Sequence, residues 1–329
     1  MKALQFVEQD DAQVRGLDVP AIAADEVLIA ARRVGVCHSD IDLLEGRYII
    51  PFSYPIIPGH EWSGEVAAVG SDVTDFAVGD RVVGECVIGD DHFGFSISGA
   101  AAEYFVAKPA WLHRLPDELD WAAGALVEPF SVAYNALLRA GNVDASDVLV
   151  VLGAGPIGLA ATAAAAALGA TTIVVEPTEE RRRIARQLGA TEAVHPDEAQ
   201  ATVDRLSGSR GADVVIECSG HPAVMAIALE LAGFRARVAY VGIDVGRSAT
   251  AQLGLIQSKE LSITGSIGSP GVWPQTLRFL AKSGIDLSPL ITHVFGVDEA
   301  LDALATAHLK EGVIKAQIEL SAAAPVAQA

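Results

Sequence analysis

The sequence predicts an α/β protein in which a β-rich domain encloses a doubly wound, parallel-sheet domain. Two observations carry that prediction. From residue 148 onward, apolar runs alternate with helical patterns. Val148–Leu152, Thr172–Val175, Ala193–His195, Asp213–Cys218, Arg237–Val241 and Leu261–Ser266 read as strands, with helices beginning near Ile157, Glu179, Asp197 and Pro222. These runs lack polar alternation, so each strand is covered on both faces, as in a parallel sheet. Before about residue 120 the pattern differs. Val27–Ala30, Gly64–Val69 and Gly79–Val83 are short strand signals punctuated by glycine, proline and aspartate, which favours a compact barrel-like domain.

Between these regions, Phe130–Ala140 has helical spacing and stops at Gly141. After them, Trp273–Lys282 and Asp298–Ala307 read as helices, Val313–Leu320 as a strand and Ser321–Ala329 as a loose tail. The predicted division is therefore 1–129 and 269–329 for the β-rich domain, and 130–268 for the doubly wound one. The segment from Cys37 to Glu61 contains Pro51, Pro55 and Pro58 and reads as loop, the setting in which reactive groups are most often displayed.

The organising stretch is Gly153-Ala154-Gly155-Pro156-Ile157-Gly158, which follows the strand Val148–Leu152. Its Gly-x-Gly-x-x-Gly spacing suits a dinucleotide. Gly153 permits a tight turn, Gly155 lets a pyrophosphate approach the backbone, and Gly158 lets helix and strand pack closely. Pro156 and Ile157 open the helix, whose N-terminus offers unpaired N–H groups to phosphate. Glu176 ends the next strand, where an acid can hold the adenosine ribose. A carboxylate there repels a 2′-phosphate and so favours NAD(H) over its phosphorylated form. Arg181, Arg182 and Arg183 follow; they read either as a solvated helix face or as partial tolerance of NADP, with Arg181 the residue carried as a cofactor contact.

Composition narrows the function classes. The chain is 51% hydrophobic and 20% charged, enough to bury two cores. Its formal charge of −19 opposes nucleic acid and anionic membrane surfaces as partners. The alanine-rich run Leu159–Leu168 is too short to span a bilayer. Cys37, Cys86 and Cys218 form no disulfide framework, and Met1–Phe6 reads as a strand rather than a signal peptide, so a cytoplasmic protein is expected.

Cys37-His38-Ser39-Asp40, Gly59-His60-Glu61 and Glu128-Pro129 supply a thiolate, an imidazole and carboxylates, the donor types of a catalytic zinc. Singly, each is more commonly a core cysteine, a loop histidine or a surface acid. Together with Gly79-Asp80-Arg81-Val82 and the glycine turn, these stretches make the chain resemble the zinc-dependent medium-chain dehydrogenase/reductase family. That resemblance implies a GroES-like catalytic domain, a Rossmann domain and an active site in the cleft between them.

Carried over by motif, the resemblance implies Cys37, His60 and Glu128 as zinc ligands. Glu61 would bind alternately, Ser39 would take the substrate's proton, and Asp40 would orient His60. Lys315 falls where relatives often place a base against the pyrophosphate. One catalytic zinc is expected per chain. No structural zinc is expected, because Glu85–Glu103 holds one cysteine where relatives carry four. Asp42 replaces the histidine that commonly ends the proton relay. Leu126–Val132, with its Glu-Pro pair, resembles the polyol and threonine dehydrogenase branch. The implied substrate is a small secondary alcohol or ketone of polyol, cyclitol or sugar type, with threonine or a vicinal diol as alternatives. Tyr48, Phe52, Tyr54, Trp62, Ile267 and Trp273 are expected pocket walls. The rival classes are a zinc-free quinone or enone reductase and a non-catalytic nucleotide-binding homologue. A homodimer or homotetramer is implied, through the sheet edge at Leu261–Ser266.

Overall fold

The computed structural model describes residues 1–243, 246–309 and 312–321, so the expected tail beyond residue 321 lies outside the described residues. The chain forms two compact units. One comprises Met1–Glu128, Pro270–Lys282 and the chain from Ile291 onward; the other comprises Pro129–Ser269 and Ser283–Leu290. The short return of Ser283–Leu290 to the second unit was not in the expected division.

The first unit begins with the antiparallel hairpin β1 (Lys2–Glu8) and β2 (Asp11–Gly16). Then follow β3 (Val27–Val36), α1 (His38–Leu44), β4 (Glu61–Val69) and β5 (Arg81–Gly84). A two-residue ribbon, β6 (Val87–Ile88) with β7 (Asp91–His92), precedes β8 (Tyr104–Ala107) and β9 (Leu112–Arg114). The one-turn helix α2 (Trp121–Gly124) leads into α3 (Val127–Arg139).

Helix α1 corrects the expectation of a loop from Cys37 to Glu61. Its cap explains why the sequence concealed it. Cys37 occupies the N-cap, and Asp40 at the third helical position accepts the Cys37 backbone N–H at 2.8 Å. A carboxylate in the first turn also suits the helix dipole. Cysteine is not among the usual cap residues, and the three prolines of the segment all lie beyond the helix.

The second unit carries β10 (Val148–Leu152), α4 (Pro156–Ala167), β11 (Thr171–Val175), α5 (Glu179–Gln187), β12 (Glu192–Val194), α6 (Ala199–Ser207), β13 (Ala212–Glu217), α7 (Pro222–Leu231), β14 (Ala232–Tyr240), α8 (Gly254–Ser258) and β15 (Ser262–Gly265). The six strands pair in the order β12-β11-β10-β13-β14-β15, all parallel. Every residue of β10 is buried, which is why its apolar run shows no alternation. Val150, Leu152, Ile173, Val215 and Val238 meet in this unit's core.

The chain then forms α9 (Trp273–Ser283), β16 (Ile291–Gly296), α10 (Ala300–Ala307) and β17 (Lys315–Glu319). β17 completes the first unit's sheet, whose order is β16-β17-β3-β4-β5-β9, with β8 also on β3. Gln317 stands opposite Gly35, and Gly35 opposite Glu61. This register brings the far end of the sequence beside the Gly59-His60-Glu61 stretch. Phe6, Ile29, Leu43, Phe93 and Phe95 fill the core behind the sheet.

Candidate active site

Cys37, at the head of α1, and His60 and Glu61, at the start of β4, present ligand atoms that all lie within 4.8 Å of one another. Three ligands about a tetrahedral zinc, at ~2.0–2.3 Å, stand roughly 3.5 Å apart, so the group is compact enough to close on such an ion. The polar atoms argue the same way. Glu61 Oε2, His60 Nδ1 and Asp40 Oδ1 are buried with no hydrogen-bond partner. Buried polar atoms normally have partners, and a cation satisfies the Glu61 oxygen. Asp40 Oδ1 stands 3.5 Å from His60 Nδ1. The carboxylate can take that ring N–H and leave the other ring nitrogen for metal, the arrangement that orients a zinc-bound histidine. The residues present therefore fit a zinc ion.

Glu61 has two roles on two oxygens. Oε1 accepts a hydrogen bond from Lys315 Nζ at 2.6 Å, while Oε2 faces Gly35. A Cβ on Gly35 would sit 2.2 Å from Oε2, so only glycine leaves the carboxylate its place. Lys315 also donates to the Val36 carbonyl at 3.2 Å. Its ammonium is buried in this site beside Glu61. The sequence hid the pairing because the two residues are 254 positions apart.

Glu128 is not part of the tight group formed by Cys37, His60 and Glu61. It is still close enough for their charges to act on it. Burial pushes the Glu128 carboxyl up to about 7; His60 and Lys315 draw it down, and Glu61 and Asp40 push it further up. For His60, burial opposes the charged form, but the Asp40 carboxylate and hydrogen bonds with Asp40 and Cys37 outweigh it and hold the imidazole well above its ordinary value. For Lys315, burial is likewise outweighed by Glu61, Cys37 and Glu128, so the ammonium stays charged. Counting Lys315 changes the electrostatics. The thiolate and two carboxylates carry three negative charges, and a divalent ion with one ammonium carries three positive ones.

In the second unit, Gly153 has φ +95°, and Gly155 N-caps α4 with Pro156 in its first turn. A Cβ on Gly158 would lie 1.9 Å from the Gly153 carbonyl oxygen, whereas a Cβ on Gly155 would meet nothing within 4 Å. One glycine is required by packing. The other leaves open space against the helix N-terminus, where an anion is favoured. Ile157 follows in the same first turn. Glu176 is buried at the end of β11, where its carboxylate accepts N–H bonds from Ala154 at 2.8 Å and Thr178 at 3.0 Å. It therefore braces the glycine turn. Arg182 folds back onto the carbonyls of Glu176 and Pro177, and Arg183 pairs with Glu180. Arg181 is half-buried on the same helix.

Residues 156–282 match the family described as zinc-binding dehydrogenase, and residues 23–117 match the alcohol dehydrogenase GroES-like domain. The chain is 32% identical to sorbitol dehydrogenase of Bacillus subtilis, over 92% of each chain. This chain belongs to the zinc-binding alcohol dehydrogenase family. It is also 31% identical to (R,R)-butanediol dehydrogenase of the same organism, over 97% of this chain and 99% of the relative. A zinc-binding dehydrogenase of Sinorhizobium meliloti, solved with NADP, superposes with a TM-score of 0.89 at 27% identity, covering 97% of this chain and 98% of that one. The dehydrogenase thus acts on CH–OH groups and uses zinc and a nicotinamide dinucleotide.

The expected pocket walls of the dehydrogenase differ in their surroundings. Trp62 and Trp273 are buried, Trp62 against Phe93 and Phe105 and Trp273 against His113. Tyr54 donates to the Leu43 carbonyl at 2.6 Å and ties down the end of α1, with Phe52 edge-on to its ring. Ile267 is exposed on the second unit. Tyr48 differs, because it stacks on Phe95, which lies against His60. Ser39 is half-buried in the first turn of α1, next to Cys37. Asp42 pairs with Arg47 at 3.0 Å. Burial pushes the Cys86 thiol up to about 12, the behaviour of a packed thiol. Among the described residues, no helix is long and apolar enough to cross a membrane.

Proposed function

We propose that this dehydrogenase transfers a hydride between NAD(H) and a secondary alcohol that bears neighbouring hydroxyls, of polyol, cyclitol or sugar-like type, with one zinc per chain. The observation that carries the reading is the carboxylate-rich metal group. Cys37, His60 and Glu61 converge, Glu128 stands just outside, and Lys315 offsets the added negative charge. Glu61 is the resting carboxylate ligand, and Glu128 is the one that engages as substrate enters and leaves.

A zinc ion held there supplies Lewis acidity that lowers the pKa of the substrate hydroxyl. The remaining work belongs to the chain. Ser39 receives the hydroxyl proton, Asp40 fixes the tautomer and orientation of His60, and Lys315 holds Glu61 in place. Gly153, Gly155 and the N-terminus of α4 seat the pyrophosphate. Glu176 receives the ribose hydroxyls and selects NAD(H) against a 2′-phosphate.

A second reading, a vicinal-diol dehydrogenase, is supported by the similarity to (R,R)-butanediol dehydrogenase. The deciding experiment combines zinc analysis of the purified protein with NAD⁺ reduction on polyols, 2,3-butanediol and threonine. About one zinc per chain with fastest turnover on polyols supports the proposal. Turnover confined to threonine or to the short diol overturns the substrate assignment. Absence of zinc together with NADPH-dependent enone reduction overturns the whole reading.

A further inference from the structure

We infer that Tyr48 is a specificity-determining residue: its phenol forms a hydrogen bond with a second hydroxyl of the substrate, beside the carbinol group that is oxidised. The inference rests on the function proposed above and names the residue that recognises the neighbouring hydroxyl.

Tyr48 comes four residues after the end of α1, in the chain segment that also supplies Cys37 and Ser39. Its ring is stacked nearly parallel on Phe95, with centroids 4.2 Å apart and planes at 11°. Phe95 is itself 1% exposed, and its ring centroid lies 4.6 Å from that of His60. The phenol is therefore fixed by a buried ring that also touches a metal ligand. A tyrosine held this way has few rotamers left to lose when it binds.

What distinguishes Tyr48 is its hydroxyl. Tyr54 donates to the Leu43 carbonyl and Tyr240 to the Met225 carbonyl at 2.9 Å. Tyr48 is half-buried, yet no hydrogen bond to the described residues acts on its phenol; burial is the main influence, followed by the charges of His60, Cys86, Cys37 and Asp40. Burial holds the group protonated, so it is a neutral donor and acceptor. The Tyr48 hydroxyl is not among the fully buried polar atoms, so it is open to solvent or to a bound ligand. The charges of His60, Cys37 and Asp40 reach it, so a substrate held at the metal group can present a hydroxyl to it. On the proposed function, the polar group beside the carbinol is a hydroxyl, which this phenol can bond as donor or acceptor. A site built to hydrogen-bond a hydroxyl discriminates strongly against the analogue that lacks it, more strongly than an apolar wall discriminates by size.

The test is Tyr48→Phe, which keeps the ring and its stacking and deletes one oxygen. NAD⁺ reduction is measured on sorbitol, 2,3-butanediol and 2-butanol for both proteins, with zinc content as a check on the site. In the wild-type protein, kcat/KM favours the hydroxylated substrates. In Tyr48→Phe that preference falls roughly ten-fold to a hundred-fold relative to 2-butanol, at unchanged zinc content. If the wild-type prefers hydroxylated substrates and the variant slows all three equally, or none, Tyr48 does not read the second hydroxyl, and the proposed function stands. If the wild-type oxidises 2-butanol at least as well as the others, both the inference and the polyol assignment fall.

Discussion

Lys315 Nζ lies 2.6 Å from Glu61 Oε1, and both side chains are almost wholly buried, with 3% and 1% exposed. Each would be costly to bury alone. As a pair they place a fixed positive charge beside a metal-binding group whose other members are anionic or readily made so. The ammonium allows one centre to hold a thiolate and two carboxylates without excess negative charge when a divalent ion is bound.

That arrangement predicts how Lys315→Met behaves. Removing the ammonium leaves a buried carboxylate without its counter-ion, which typically costs about 3–5 kcal/mol. Zinc can take over the compensation. Thermal or urea unfolding should show the full loss in metal-free protein and a clearly smaller loss in zinc-loaded protein. An identical loss in both states would mean that Glu61 does not approach the metal.

The two glutamates should separate under substitution. Glu61→Gln is expected to lower zinc content in purified protein, because Glu61 belongs to the tight ligand group. Glu128→Gln should retain most of its zinc and lose turnover, by about ten-fold or more given its place at the edge of the site. Metal analysis beside kcat measures both. Zinc lost from Glu128→Gln and kept by Glu61→Gln would restore the assignment drawn from sequence resemblance alone.

Zinc affinity should rise with pH. In the metal-free site His60 is held well above its ordinary pKa, so it carries a proton at neutral pH, and Glu128, at about 7, is partly protonated. A metal ligand must be deprotonated, so zinc displaces the proton on His60, and the added positive charge favours losing the one on Glu128. Raising pH removes the competing protons in advance. Affinity should climb by about ten-fold per pH unit for each proton released, flattening above the metal-free pKa values. Calorimetry in buffers of different ionisation enthalpy reads the proton count directly. A pH-independent affinity between 6 and 8 would contradict it.

The sequence made the parallel sheet legible because burial on both faces leaves no polar interruption in strands such as Val148–Leu152. The converging group was legible too, since Cys37, His60 and Glu61 sit in short motifs whose chemistry is local. The missed features depend on distance along the chain or on unusual local chemistry. The Lys315–Glu61 pair needs β17, β3 and β4 in register, and nothing near Lys315 in sequence signals a metal. The helix at His38–Leu44 is capped by cysteine, and prolines downstream pointed to loop. Gly35 gives no signal of its own, since the need for glycine appears only when Glu61 Oε2 stands against it. Aromatic residues carry a weak signal for a general reason: Trp62 and Trp273 bury large apolar area, as most aromatics do.

The glycine turn offers a prediction in which two similar substitutions part company. Gly158→Ala places a methyl 1.9 Å from the Gly153 carbonyl, so backbone must move. Overpacking of that kind costs about 1–3 kcal/mol or more, and stability and dinucleotide binding should fall together. Gly155→Ala meets no protein atom within 4 Å, and Gly155 has φ −75°, which alanine adopts without strain. Its fold should be unharmed, with melting temperature near that of the parent protein. The new methyl would occupy the space against the helix N-terminus, so NADH affinity should fall by about ten-fold or more, given close approach of the pyrophosphate. Melting curves and NADH fluorescence titration on the two variants distinguish the cases. If Gly155→Ala binds NADH as tightly as the parent, the pyrophosphate does not approach this turn, and the dinucleotide must be seated elsewhere on the second unit.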